Sequence, residues 1–322
     1  MKILMSNNHV PYIFMLAETG HDIFVLNPEG REWDLRMRPI PPNVRIIDGA
    51  RNIMTFINEL KRNPLFFDRV ILQDSIIKTN DSIDFYDRLI YNEVEAPKIM
   101  LFHISFQTQF RGLPKDKEGI VRQMIAEKLK GIKPVYISEF KMRSWGIPGD
   151  VVVPGFESEM WGGWNGKGNY VLSCLNNAMH RNFMNNTVKM KMTTADLNWK
   201  LLGEENGQGV LARDLEDLKN HYRFAKWYLC LNNPEYEDGY NLSMLEAMAT
   251  GCPAITLEHF SSPILHGING LKSNDLQELN YMIHNTSEED IVKMGRKAKE
   301  TALNLFQMEH FVDTWNEILE MG

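Results

Sequence analysis

Two carboxylates eight residues apart, Asp238 and Glu246, bracket a stretch whose residue types suit the binding of a phosphorylated sugar. It reads Glu237-Asp238-Gly239-Tyr240-Asn241-Leu242-Ser243-Met244-Leu245-Glu246-Ala247-Met248-Ala249-Thr250-Gly251-Cys252-Pro253. The apolar run ending near Leu231 predicts a strand, and the residues from about Ser243 predict a helix. A helix N-terminus offers unpaired N–H groups and a partial positive charge, which suits phosphate. Gly239 predicts a tight turn just ahead of that helix. Asp238 and Glu246 could then accept hydrogen bonds from sugar hydroxyls while the phosphates rest on the amides between them. A plainer reading fits the same residues. Ser243 and Glu246 have capping-box spacing, and Asp238-Gly239 is an ordinary turn pair.

Elements on both sides must position this loop. In the first half, short apolar runs alternate with longer mixed stretches, the rhythm of an open α/β fold. Strands are expected at Lys2–Ser6, Asp22–Leu26, Val44–Ile47, Arg69–Leu72, Ile99–Ser105 and Pro134–Ile137. Runs of four to seven apolar residues bounded by polar turns suit strands of a parallel sheet buried on both faces. Asn52–Lys61 and Lys117–Lys130 have helical length and spacing. From Ile147 to Asn169 the chain carries six glycines and two prolines, which marks a connection between domains. The rhythm then restarts. Strands are expected at Tyr170–Leu175, Trp199–Leu202, Trp227–Leu231 and Pro253–Thr256. Helices are expected at Arg213–Ala225, Ser243–Ala249, Asp275–Tyr281, Glu288–Leu305 and Met308–Glu320. The expected division is an N-terminal Rossmann-like domain over 1–153, a linker over 154–168, a second Rossmann-like domain over 169–306 and a final helix over 307–322.

Composition narrows the class. The 322 residues are 43% hydrophobic and 24% charged, ordinary values for a globular chain that exclude collagen-like, coiled-coil and disordered types. No apolar run reaches the roughly 18 residues needed to cross a bilayer, and the start Met1–Met5 is too short for a signal peptide. Cys174, Cys230 and Cys252 lack CxxC spacing, so neither a disulfide framework nor a zinc ribbon is expected. His9, His21, His103, His180, His221 and His259 show no HxxxH or HExxH pattern, and no metal is expected. These features predict a cytoplasmic protein. The net charge of −7 speaks against a general nucleic-acid binder. Residues 111–143 are the local exception, with nine Lys/Arg against four acids. That +5 segment is either a solvated helix face or a surface for an anionic acceptor or membrane headgroups.

The 237–253 stretch resembles the E-x7-E signature of retaining glycosyltransferases of family 4, usually E-G-F-G-L-S-x-x-E-A-M-A-x-G-x-P. Here the first glutamate is Asp238 and the second is Glu246. The similarity extends to Asp217–Tyr222, which looks like the helix before the family's fourth C-terminal-domain strand. It also extends to Ser262-Pro263-Ile264-Leu265-His266-Gly267-Ile268-Asn269-Gly270, which looks like the family's E-I-V-x-x-G-x-N-G segment. In the N-terminal half, Met1–Ser6, Gly20–Ile23 and Val135–Ser138 fall where the family has strand and turn. The resemblance implies a GT-B fold, with two Rossmann-like α/β domains facing a cleft. It also implies transfer of a sugar from a nucleoside-diphosphate sugar, with retention, no cofactor and no required metal.

Carried over by residue, the resemblance implies that Glu246 bonds the donor ribose and Asp238 the transferred sugar. Gly239, Tyr240 and the amides around Asn241, Leu242 and Ser243 would line the diphosphate and sugar. Asp238 reaches one methylene less far than the family's glutamate, which implies an altered sugar or pose. His103 looks like the family's cleft histidine, a catalytic-side residue. Arg181, after the Tyr170–Leu175 strand, is the candidate diphosphate clamp. The family's clamping lysine has no match, since Lys189 and Lys191 lie too far along the chain. The first loop, Asn7-Asn8-His9-Val10-Pro11, replaces the family's Gly-Gly turn. Asn8, His9 and Phe106 are acceptor-side candidates, with Phe102, Phe110 and the 111–143 segment nearby. The nucleotide base would sit near Gly203–Asn206, with a UDP-sugar favoured over a GDP-sugar.

Three other readings accompany this one. One is a different enzyme on the same fold, such as an epimerase or a phosphorylase-like hydrolase. Another is a catalytically degenerate nucleotide-sugar-binding protein, suggested by Asp238, the missing lysine and the altered first loop. In the third, the acceptor is a modified nucleic-acid base instead of a glycan or lipid, and salt-dependent DNA binding would be its signature. Residues 111–143 imply peripheral contact with the inner face of a membrane.

Overall fold

The apolar runs of the first half form seven strands: β1 (Lys2–Ser6), β2 (Asp22–Asn27), β3 (Val44–Asp48), β4 (Arg69–Gln73), β5 (Lys98–Phe102), β6 (Ile132–Tyr136) and β7 (Asp150–Val151). The computed structural model describes residues 1–27, 32–63, 65–73, 82–157, 159–204 and 210–321. All seven strands pair in parallel, in the order β3-β2-β1-β4-β5-β6-β7. Alternate strand residues point to opposite faces. Leu4, Phe24, Leu26, Val70, Leu72, Met100 and Phe102 enter one core cluster. Ile3, Met5, Ile23, Val25, Ile71, Ile99 and Leu101 are buried on the other face. Burial on both faces explains why these strands read as continuous apolar runs.

A second parallel sheet follows, built from β8 (Val171–Cys174), β9 (Trp199–Leu202), β10 (Trp227–Cys230), β11 (Ala254–Thr256) and β12 (Gly270–Lys272). Its order is β12-β11-β10-β8-β9. Two compact units contain these sheets. One comprises Met1–Gly155 with Met308–Gly322, and the other Phe156–Gln307.

Helix Met308–Glu320 packs in the first unit. Trp315 Nε1 donates to Tyr12 Oη at 3.1 Å, and Arg69 Nε donates to the Leu319 carbonyl at 2.9 Å. The rings of Phe311 and Trp315 meet Tyr12 edge-on.

Each sheet has one position where the chain reverses its direction of travel across the strands. In the first sheet it lies between β1 and β4, and in the second between β8 and β10. In open α/β sheets, loops leaving the C-terminal ends of such strands form the binding crevice. The candidate residues Asn8, His9, Arg181, Asp238 and Glu246 all follow one of these four strands.

Candidate functional site

In the second unit, β10 ends at Cys230 and the chain runs through Asn232 and Asp238 into helix Leu242–Thr250. The helix starts one residue earlier than expected. Its N-cap is Asn241, whose side chain accepts from the Met244 N–H at 2.8 Å. Ser243 is therefore inside the helix, and the Ser243–Glu246 capping box does not form. The Asn232 and Asn241 backbone N–H groups face the Cys230 sulfur, partly offsetting the burial that pushes this thiol up to about 12. The remaining first-turn amides of the motif belong to Leu242 and Ser243, both half-buried.

Glu246 is 5% exposed and accepts a 2.9 Å hydrogen bond on Oε2 from the hydroxyl of Tyr222, which lies on helix Leu215–Phe224. A buried carboxylate needs such a donor, because charge without hydrogen bonds is costly away from water. Burial drives the Tyr222 hydroxyl well above its usual range, so it remains protonated and donates. Cys174, at the end of β8, is half-buried, and its thiol is pushed up to about 12, with desolvation outweighing the hydrogen bonds of Tyr222 and Tyr228. It is a protonated thiol beside this pair.

Asp238 is 4% exposed, and its backbone carbonyl accepts from Asn232 Nδ2 at 2.9 Å. The same amide donates to the Tyr240 carbonyl at 3.1 Å, which folds the 238–240 backbone over the end of β10. The backbone bends at Gly239, as expected, without a left-handed φ. Glycine is needed there for space. An added Cβ would lie 2.8 Å from His259 Cβ and from the Ser262 nitrogen. The Gly239 N–H donates to Ser261 Oγ at 3.0 Å, which ties the motif to the loop after β11. The Tyr240 ring packs against Phe306.

Arg181 is exposed on the loop after β8. The segment after it is stitched to the β10 loop: Asn186 Nδ2 donates to the Leu231 carbonyl at 2.9 Å, and Asn233 Nδ2 donates to the Phe183 carbonyl at 2.8 Å. Phe183 meets Tyr236 edge-on at 5.4 Å. The loops that carry Arg181 and Asp238, and the helix that carries Glu246, thus follow neighbouring strands of one sheet. Lys189 and Lys191 lie exposed on helix Thr187–Thr193. Of Gly203–Asn206, Gly203 and Glu204 are described. The Glu204 N–H donates to Asn176 Oδ1 at 2.9 Å, joining the β9 loop to the β8 loop. Residues 205 and 206 lie outside the described residues.

In the first unit, His103 directly follows β5, which stops at Phe102 and not at Ser105. Ser105 caps the short helix Phe106–Gln109 instead, accepting from the Thr108 N–H at 3.1 Å. The His103 ring stacks on His9 at 5.3 Å and 14° and meets Tyr12 edge-on at 5.1 Å. His9 caps helix Val10–Leu16 through Nδ1, which accepts from the Tyr12 N–H. Asn8 Nδ2 donates to the Gln73 carbonyl at 3.4 Å. Burial, followed by the His9 and Lys141 charges, holds His103 well below the usual histidine range, so the ring is neutral.

Two first-unit expectations need correction. Phe106 is 1% exposed and packs in the core with Phe110 and Trp145, under the Arg122 guanidinium, so it offers no ring face to an acceptor. Phe102 is likewise a core ring. The 111–143 segment is not one basic patch. Arg122, Lys130, Lys133 and Arg143 pair with Glu118, Glu127, Asp150 and Glu139, and Lys141 is buried. Lys115, Lys117 and Lys128 remain exposed on helix Lys115–Lys128, beside exposed Ile120 and Met124.

Tyr222, Asn232, Gln73 and Lys141 belong to these clusters but were not expected as site residues. Tyr222 ends the Asp217–Tyr222 segment, and the polar pair Asn232-Asn233 just after β10 is the sequence signal for Asn232. Among the described residues, no group of three His, Cys, Asp or Glu side chains is placed to hold a metal ion. None of the described helices is long and apolar enough to cross a membrane.

No protein-family model matches the sequence, and neither does any curated protein sequence. Solved structures do resemble it. Anabaena HepE in complex with UDP and glucose matches over 100% of both chains, at 12% identity and a TM-score of 0.70. A glycosyltransferase from Rickettsia africae matches over 99% of this chain and 98% of its own, at 14% identity and a TM-score of 0.59. The chain has the GT-B fold. TarM of S. aureus, in a complex with UDP, fondaparinux and alpha-GlcNAc-glycerol, matches over 82% of this chain and 58% of its own, at 13% identity and a TM-score of 0.61. At these identities the likeness is one of fold. Within the GT-B fold, the second sheet supplies the Asp238 and Glu246 loop and the first supplies the His103 cluster.

Proposed function

We propose that the chain is a retaining glycosyltransferase that takes its sugar from a nucleoside-diphosphate sugar and needs no resident metal ion. The observation that carries this reading is the Glu246 carboxylate. It is buried, bonded by Tyr222, and set on a helix that opens at the switch point between β8 and β10. In this reading Glu246 receives the ribose hydroxyls and Asp238 those of the transferred sugar. The Leu242 and Ser243 amides and the Arg181 guanidinium meet the diphosphate. A UDP-sugar is favoured, because the HepE and TarM complexes contain UDP.

The reaction breaks the bond between the anomeric carbon and the diphosphate oxygen, which keeps the electron pair. A bond forms from that carbon to an acceptor hydroxyl, whose proton passes to the departing diphosphate. Charge develops on the diphosphate, and fixed N–H groups and a guanidinium stabilise it most where it accumulates. His103, neutral and stacked on His9, takes its catalytic-side role from the resemblance to family 4. Lys115, Lys117 and Lys128 around Ile120 and Met124 supply contact with an anionic membrane surface, where a lipid or glycan acceptor would be found.

Nucleotide release tests the activity. The protein incubated with UDP-glucose should release UDP slowly by hydrolysis and faster with an acceptor. The product's anomeric proton coupling should match that of the donor. Release with inversion would contradict retention. Tight UDP-sugar binding without any release would favour a binding protein that does no chemistry.

A further inference from the structure

Glu246 stands on one helix and its hydrogen-bond donor on another. Tyr222 is fully buried on helix Leu215–Phe224, where the rings of Trp161 and Tyr228 each lie 6.0 Å from its own. That packing leaves its hydroxyl a fixed direction. Helix Leu215–Phe224 is itself anchored, since Tyr170 Oη donates to the His221 carbonyl at 2.9 Å and Arg223 Nε donates to the Gly162 carbonyl at 2.9 Å. Glutamate has three side-chain torsions, and one hydrogen bond from a rigid donor removes most of that freedom. A carboxylate held in one plane can take two vicinal hydroxyls together, while a rotating one would lose affinity to ordering.

We infer that Tyr222 is a positioning residue that orients the Glu246 carboxylate toward the two ribose hydroxyls of the donor nucleotide. This rests on the proposed role of Glu246 and deepens it. The contact also satisfies a buried charge, so the test must separate orientation from stability.

Calorimetry with UDP and with 2′,3′-dideoxy-UDP makes that separation. Hydrogen bonds to a charged group are worth about 1.5–3 kcal/mol, so the wild type should bind UDP about 10–150 times more tightly than the dideoxy nucleotide. Tyr222→Phe keeps the ring and removes the donor. It should reduce that ratio to about threefold or less, mainly through weaker UDP binding. In turnover it should raise KM for the donor with little change in kcat. A variant that loses thermal stability but keeps the wild-type ratio would show a structural bond only and overturn the inference.

If Tyr222→Phe fails to fold, the wild-type protein labelled at the tyrosine Cζ carbon answers the same question. The Tyr222 resonance should move on adding UDP and move much less with the dideoxy nucleotide. Equal displacement by both would overturn the inference. A wild type that binds neither nucleotide overturns the donor reading as well. A wild type that binds both equally removes the ribose role of Glu246 and this inference with it.

Discussion

His103 Nε2 lies 3.0 Å from Gln73 Oε1, and the Gln73 amide is oriented by its own donation from Nε2 to the Ser6 carbonyl at 2.7 Å. Gln73 therefore presents an acceptor, and His103 carries its proton on Nε2. Around them, Asp87 accepts from the Ser6 hydroxyl and from the Gln73 N–H. The ends of β1, β4 and β5 are thus locked together by their own hydrogen bonds, with His103 as the neutral member.

A pH dependence follows from this. The folded-state value of His103 is lowered, while the unfolded chain titrates near 6.5. Between those values the unfolded state binds more protons, so stability rises with pH there. It is fully present above 6.5 and lost as pH falls toward the folded value. Melting temperature measured from about pH 5 to 8 should fall below 6.5 in the wild type. His103→Gln should flatten part of that slope, leaving a remainder from His21 and His221, which burial also lowers. An unchanged slope would contradict the burial of a neutral ring.

Gly239→Ala should destabilise the second unit by about 1–3 kcal/mol, a drop of about 2–12 °C in Tm. Two of the three atoms its Cβ would meet are backbone atoms of Ser262, which cannot swing aside. A Tm within one degree of the wild type would show that the 259–262 loop yields easily.

Asn241→Ala removes the cap on the Met244 N–H and should cost about 1 kcal/mol, with Asn241→Asp retaining most of the stability. Denaturant titration checks this. Equal losses in both variants would show that the cap is not the source of the effect.

Much of the fold could be read from the chain. β1 and helices Glu288–Leu305 and Met308–Glu320 have the bounds expected of them, because a continuous apolar run marks the strand and a long helical apolar period marks the two helices. β7 and β12 were not expected, since Asp150–Val151 and Gly270–Lys272 each hold one apolar side chain and so form no apolar run. The stretch carrying Asp238 and Glu246 stands out through its resemblance to the family 4 signature, since its residue types alone also fit a turn and a capping box. Phe106 was misplaced because an aromatic residue in a core and one in a site look alike in sequence. The Tyr222–Glu246 bond spans 24 positions, and no local signal encodes such a pairing. The capping-box spacing of Ser243 and Glu246 misled for a related reason, because Asn241 competes for the same role two residues earlier.

Membrane contact has its own test. Wild-type protein should co-sediment with vesicles containing anionic lipid and release as salt is raised, because exposed charge pairs are screened. Replacing Lys115, Lys117 and Lys128 by Gln should weaken binding, by about 1 kcal/mol per lysine near the surface. Equal sedimentation with neutral vesicles would remove the electrostatic contribution.

Titrating the wild type and Glu246→Ala with UDP-glucose, following thermal stability, tests the central claim most directly. A ligand that binds only the folded state must raise Tm by mass action. The account predicts a concentration-dependent rise for the wild type, absent or much reduced in a folded Glu246→Ala. No rise with any of the UDP-, GDP-, ADP-, CMP- and dTDP-sugars would contradict it, as would an equal rise in both proteins.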